Sequence, residues 1–252
     1  MAALLAVVGV STAATAPKVA VTVTIVGKGS VHVGKQTVSC VTTCAKTVQV
    51  AKGTKLTVRA QPPMGAKWTW HAGCKASAKS CSLLVTKAAR VSITFIARGA
   101  KTNPIPVGQS AVTMNGWKLT VLSSTPDATA QVLATTNPYG EHLNPTPPAG
   151  AQDYMISLSA TYVGGGSDDA YSLVDYLKVV GSHNVEYYTG ENYCGSWLPA
   201  PSLQDAGKIF SGVNATGNVC WQIASNDAAS LQLLTSTYTP ATGSVDQYFA
   251  LH

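Results

Sequence analysis

Alternation of apolar and polar positions runs through the whole chain and predicts strands almost everywhere. In VAVTVTIV (19–26), Val19, Val21, Val23 and Ile25 fall on one face, with Ala20, Thr22 and Thr24 on the other. A period of two in β-branched residues predicts a strand with one buried face. KLTVRA (55–60) repeats the pattern with Leu56 and Val58 inward, and RVSITFIAR (90–98) does so with Val91, Ile93 and Phe95. Gly-Lys-Gly (27–29) and Lys-Gly-Thr (52–54) supply turns between such runs.

The same grammar continues further on. WKLTVL (117–122) points Trp117, Leu119 and Val121 inward, and YMISLSATY (154–162) aligns Tyr154, Ile156, Leu158, Ala160 and Tyr162. VCWQI (219–223) groups Val219, Trp221 and Ile223, and QYFAL (247–251) closes the chain. Between them lie turn-rich stretches such as 137–150, 164–169 and 211–218, and only SDDAYSLVDYLK (167–178) reads as a possible short helix. The expected fold is all-β: a small antiparallel module followed by an immunoglobulin-like β-sandwich.

Charge divides the chain in two. Residues 1–102 hold fourteen of the 17 basic residues and no Asp or Glu, while all 11 acidic residues follow. So clean a break marks a domain boundary. It is expected in KTNPIP (101–106), where two prolines favour an extended linker between a basic module, 17–100, and the sandwich, 107–252. Residues 1–16 read as a secretory signal, with an uncharged apolar run from Ala2 to Val10 and an Ala14-Thr15-Ala16 cleavage pattern. That run is too short to span a bilayer, and no other segment could. The expected location is extracellular, with association to the cell envelope a natural extension.

Compartment bears on the 6 cysteines. Cys40, Cys44, Cys74 and Cys81 have spacings that a zinc site could use, with His71 completing Cys74. In an exported chain thiols instead pair. Six cysteines allow fifteen pairings. The short separations favour Cys40–Cys44, Cys74–Cys81 and Cys194–Cys220, with Cys220 turned away from the core to clip a loop. No C-x-x-C supports redox chemistry.

Catalytic patterns are missing: there is no G-x-S-x-G, H-E-x-x-H or S-x-x-K. No catalytic, cofactor or metal residue is therefore assigned, and the chain is read as non-enzymatic. Asp168, Asp169 and Asp175 could offer hard oxygens to calcium but match no EF-hand spacing. Asn214-Ala-Thr216 is a glycosylation sequon in an expected loop.

The basic module asks for a partner. Lys46, Lys55, Arg59, Lys67, Lys75 and Lys79 are the candidate contacts for an anionic polymer. In an exported chain these would be wall phosphate polymers or sulfated matrix glycans rather than nucleic acid. The acidic second half is an alternative counterpart. A protein partner gripped by the sandwich through Tyr187, Tyr188, Tyr193 and Trp197 is the other reading.

Two family resemblances bear on these expectations. VTVTIVGKGSV (21–31), SCVTTC (39–44), GTKLTVRAQPPMG (53–65), WTWHAGC (68–74) and SCSLLVTKAARVSITF (80–95) resemble the divergent InlB B-repeat domain over about residues 19–98. Thr69-Trp70 stands where that family commonly has Gly-Trp. The resemblance implies a surface-exposed or adhesive spacer. NPIPVGQ (103–109), GWKLTVLS (116–123), AGAQDYMISLSATYVGGG (149–166), FSGVNATGNVCWQI (210–223) and YFAL (248–251) are similar to the DUF4352 family. That similarity implies an immunoglobulin-like sandwich in exported proteins and no particular activity.

Overall fold

The computed structural model describes residues 16–113, 115–239 and 243–252. The signal segment, 1–16, lies almost wholly outside them. The chain divides into two compact all-β units, Met1–Ala97 and Arg98–His252.

Among the described residues the first unit contains eight strands: β1 (Lys18–Val26), β2 (Gly29–Val33), β3 (Gln36–Cys40), β4 (Thr43–Ala51), β5 (Thr54–Gln61), β6 (Lys67–Ala72), β7 (Ser80–Val85) and β8 (Ala89–Ile96). They form two four-stranded sheets, in the orders β4-β1-β8-β6 and β3-β2-β5-β7. One core joins the sheets: Val21, Val23, Ile25, Val91 and Ile93 from the first meet Val31, Val33, Val58 and Val85 from the second. Alternation in the sequence therefore translates directly into burial, since Val21, Val23, Ile25, Val91 and Ile93 are fully enclosed.

One pairing departs from the expected antiparallel arrangement. β1 and β8 run parallel, with Val23 level with Val91. A parallel neighbour needs a long crossover, and the six intervening strands provide it.

The second unit opens with β9 (Ser110–Val112), β10 (Trp117–Thr125), α1 (Thr129–Ala134), β11 (Ala151–Tyr162), β12 (Ser167–Asp169) and α2 (Ala170–Tyr176). It continues with β13 (Lys178–Val180), β14 (Glu186–Tyr188), β15 (Lys208–Phe210), β16 (Asn214–Ala224), β17 (Gln232–Thr239) and β18 (Gly243–Ala250). Sheets of order β16-β11-β10-β9 and β14-β13-β17-β18 form an antiparallel sandwich of immunoglobulin-like type. Trp117, Tyr154, Leu158 and Trp221 of one sheet share a core with Val179, Leu233 and Phe249 of the other.

Helix α2 falls inside the stretch expected to hold one, and the Asp169 side chain caps its start by accepting from the Tyr171 amide. Helix α1 lies in a stretch that carries no helical signal. It covers the outer side of β11, where Met155, Val132, Ala128 and the Cys194–Cys220 pair make a second small core with Leu198.

The expected linker, 101–106, belongs to the second unit. Ile105 is 1% exposed; its amide donates to Tyr248 O at 2.8 Å and its carbonyl accepts from the Ala250 amide at 2.8 Å. An apolar residue between two prolines, Pro104 and Pro106, is thus used as an extra edge contact to β18. The division falls earlier, between Ala97 and Arg98.

Candidate functional site: a cationic hollow in the basic unit

The first unit contains ten Lys, two Arg and no Asp or Glu, a charge of +12 with no internal neutralisation. The second carries five basic and 11 acidic residues. Among the described residues both ion pairs lie in the second unit, Lys178–Glu186 and His183–Asp227.

Three of the cations converge. Lys28, Arg59 and Lys79 line an open hollow of about 730 Å³, with Ser30, Ser39, Gln61, Trp68 and the Pro62-Pro63 pair in its walls. Each side chain arrives for a local reason. Lys28 stands at the tip of Gly-Lys-Gly between β1 and β2. Gly27 has φ +84°, and a Cβ there would lie 2.2 Å from the Phe95 carbonyl oxygen. A Cβ on Gly29 would lie 2.3 Å from the Phe95 ring. Only glycine fits on either side, so the turn is pressed against Phe95 and Lys28 is the side chain left to project.

Arg59 is an outward residue of β5, opposite His32 on β2 and Ser80 on β7. Lys79 precedes β7, and its carbonyl accepts from the Ala60 amide at 3.0 Å. The loop that carries it is anchored from both sides. Cys74 and Cys81 close it covalently, and Ala78 O accepts from Trp70 Nε1 at 2.6 Å and from Trp68 Nε1 at 3.3 Å. The Trp68 edge is thereby engaged, while the half-buried ring forms part of the wall.

The other expected contacts are dispersed. Lys55 lies outward on β5, opposite Leu84. Lys46 is on the edge strand β4, level with Val23, and Lys67 is on β6 in the same sheet. Lys75 sits in the loop inside the Cys74–Cys81 closure, exposed. Of the six, the hollow unites Arg59 and Lys79. It adds Lys28, which the sequence places in the Gly-Lys-Gly turn, and Trp68. The flanking glycines were the available signal for Lys28.

The cysteines form three disulfides, Cys40–Cys44, Cys74–Cys81 and Cys194–Cys220. His71, once a possible metal ligand, is exposed and pairs through Nε2 with Thr94 Oγ1 at 2.9 Å. Among the described residues one group could by proximity hold a metal: Asp153, Cys194 and Cys220. Its sulfurs are bonded to each other and are not thiolates.

The acidic turn has structural duties. Asp168 Oδ2 accepts from Trp117 Nε1 at 2.8 Å, and Asp169 is the α2 cap. Asp175 stands apart on α2, exposed beside a different hollow. Asn214 begins β16 rather than occupying a loop, and its Oδ1 accepts from Ser159 Oγ at 2.7 Å and Thr161 Oγ1 at 3.0 Å. Of the four aromatics, Tyr187 is buried and donates to Asp227 Oδ2 at 2.9 Å. Tyr188 lies under Lys178 Nζ, 5.8 Å from the ring centre, and Tyr193 is exposed.

No family model matches the chain, and no curated protein matches it. Solved structures to which it is similar include the secreted protein MPT63 from Mycobacterium tuberculosis, at 12% identity and TM-score 0.34, covering 57% of this chain and 97% of that one. A conserved hypothetical protein from Bacillus anthracis has 9% identity and TM-score 0.32, covering 58% and 95%. A functionally unknown protein from Listeria monocytogenes has 11% identity and TM-score 0.34, covering 58% and 85%. Similarity at this level carries no functional argument.

Proposed function

We propose that this is an exported, non-enzymatic binding or adhesion protein of the cell envelope whose basic unit contacts anionic polymers. The observation that carries this reading is Lys28, Arg59 and Lys79 converging on one hollow in a unit that contains no carboxylate. A surface of one sign attracts polyanions over roughly a Debye length, about 8–10 Å at physiological salt. Export is supported by the three disulfides, which persist in oxidising compartments. Among the described residues, no helix is long and apolar enough to cross a membrane.

The test is retention of the full chain on heparin and on a wall-type polyol-phosphate resin. Binding at low salt with elution by added salt is the expected result. Flow-through at low salt on both resins would remove the proposal. A second reading, capture of a protein partner by the sandwich, draws on Tyr171 and Tyr193, 59% and 52% exposed, which flank a hollow of about 410 Å³. Substituting both with Ala and comparing cross-linked partners from envelope extracts tests it.

A further inference from the structure

We infer that the hollow is a subsite for one saccharide unit bearing an anionic substituent, and not merely the most positive point of a diffuse surface. This rests on the polymer-binding reading above and narrows its chemistry. Diffuse attraction needs only charge, and Lys55, Lys67 and Lys75 would serve it without any concavity. The hollow combines three kinds of group that charge alone does not require.

The first is a cationic set of mixed type. Arg59 offers a planar fork matched to two oxygens of a sulfate, phosphate or carboxylate, and Lys28 and Lys79 add point charges around it. The second is an apolar wall of Trp68, Pro62 and Pro63. A pyranose presents one face of C–H groups, and a flat apolar wall is the surface against which that face loses water. A bare phosphate chain has no such face. The third is neutral hydrogen-bonding capacity from Ser30, Ser39 and Gln61, suited to ring hydroxyls. Ser30 and Ser39 are cross-strand partners whose hydroxyls lie 3.0 Å apart, so they offer one paired donor–acceptor position. An apolar wall with a few convergent polar groups is the usual composition of a small-ligand site.

The parts are also fixed before any ligand arrives. The Phe95-packed glycines set Lys28, the strand register sets Arg59, and the disulfide-closed loop sets Lys79. Prior ordering lowers the entropy that binding must overcome.

The experiment titrates the full chain with three probes: a sulfated disaccharide, its unsulfated counterpart, and sugar-free polyphosphate. Calorimetry gives affinity and stoichiometry. The expected result is one sulfated disaccharide per chain, with at least tenfold weaker binding of the unsulfated form. Arg59→Ala with Lys79→Ala, both at exposed positions, should weaken the disaccharide at least tenfold. Trp68→Phe, which keeps an aromatic wall, should retain most of the affinity, while Trp68→Ala loses it; melting temperatures identify any variant that fails to fold.

Sulfated and unsulfated disaccharides binding equally would overturn the anionic requirement. Polyphosphate bound equally by the wild type and the Arg59/Lys79 variant, with no disaccharide binding, would overturn the subsite and leave general polymer binding standing. No binding of any probe would overturn both.

Discussion

Asp227 and His183 form a directed pair: Asp227 Oδ1 lies 2.6 Å from His183 Nδ1, the carboxylate almost wholly buried and the imidazole half exposed. Tyr187 donates to the other oxygen at 2.9 Å, and the His183 amide reaches Oδ1 at 3.3 Å. Burial by itself would raise the Asp227 carboxyl. The hydrogen bonds from His183 and Tyr187 outweigh it and hold the group below its ordinary range. An ionised carboxylate only accepts, so the His183 proton sits on Nδ1.

The Asp227 arrangement anchors the 182–187 segment, and its removal should be costly. Asp227→Ala is expected to destabilise the second unit by about 3 kcal/mol at pH 7, because the buried Tyr187 hydroxyl and the His183 groups lose their shared acceptor. With its folded-state value depressed, Asp227 contributes stability above pH 3.8, lost as pH falls through the lower folded value. Denaturant titrations of wild type and variant should converge toward acid; a constant difference down to pH 2 would contradict the assignment.

Asp153 behaves in the opposite sense. It is fully buried on β11, and burial pushes its carboxyl up to about 6. The Gln222 amide on the paired strand works against this shift, and the Asp127 charge adds to it. Below pH 3.8 the group is neutral in both states. As pH rises from 3.8 to about 6 the unfolded chain ionises first, so stability is lost across that window. Asp153→Asn is expected to gain about 1–3 kcal/mol at pH 7 and to flatten this part of the pH profile. Equal or lower stability of the variant at pH 7 would refute it.

The Cys194–Cys220 bond closes a loop with a sequence separation of 26. By loop entropy its loss should cost about 3.5 kcal/mol. The Cys194→Ala, Cys220→Ala double variant should therefore melt well below the wild type. The unreduced wild type should take up no alkylating agent, and the reduced, unfolded chain should take up six equivalents. Any uptake before reduction argues against three closed bridges.

Gly27→Ala is expected to destabilise the first unit by about 2–3 kcal/mol, since the new methyl would meet the Phe95 carbonyl and φ is positive. If the tip of that turn places Lys28, polymer retention should weaken even at temperatures where the variant stays folded. Unchanged retention would separate Lys28 from the site.

Strand positions were legible because alternation is local: Val21, Val23 and Ile25 announce a buried face without reference to any partner. Pairing is not local. Nothing in β8 states that it lies parallel to β1, since that depends on which edge remains open after six other strands have paired. Helix α1 was silent for a related reason. It buries one core-facing residue, Val132, under a loop clip, too little for a helical period to show. Asp227 sits in a short polar 3-10 segment, Ser225–Ser230, whose composition suggests a solvated turn. Its burial depends on Tyr187 and His183 forty and more residues away. The cationic set was half readable: composition shows that a unit is basic, but convergence of Lys28, Arg59 and Lys79 brings together one turn, one strand and one loop in space.

The Cys74–Cys81 closure has a consequence for change over generations. A loop fastened at its root is also held to β6 at two carbonyls, Ala76 O by the Trp70 amide and Ala78 O by two indoles. Because those bonds use backbone carbonyls, the exposed side chains of Lys75, Ala76 and Ser77 could be exchanged or recharged while β6 and β7 keep their register. Such a segment behaves as a replaceable tip on a permanent handle, whose charge and shape could drift without disturbing the fold.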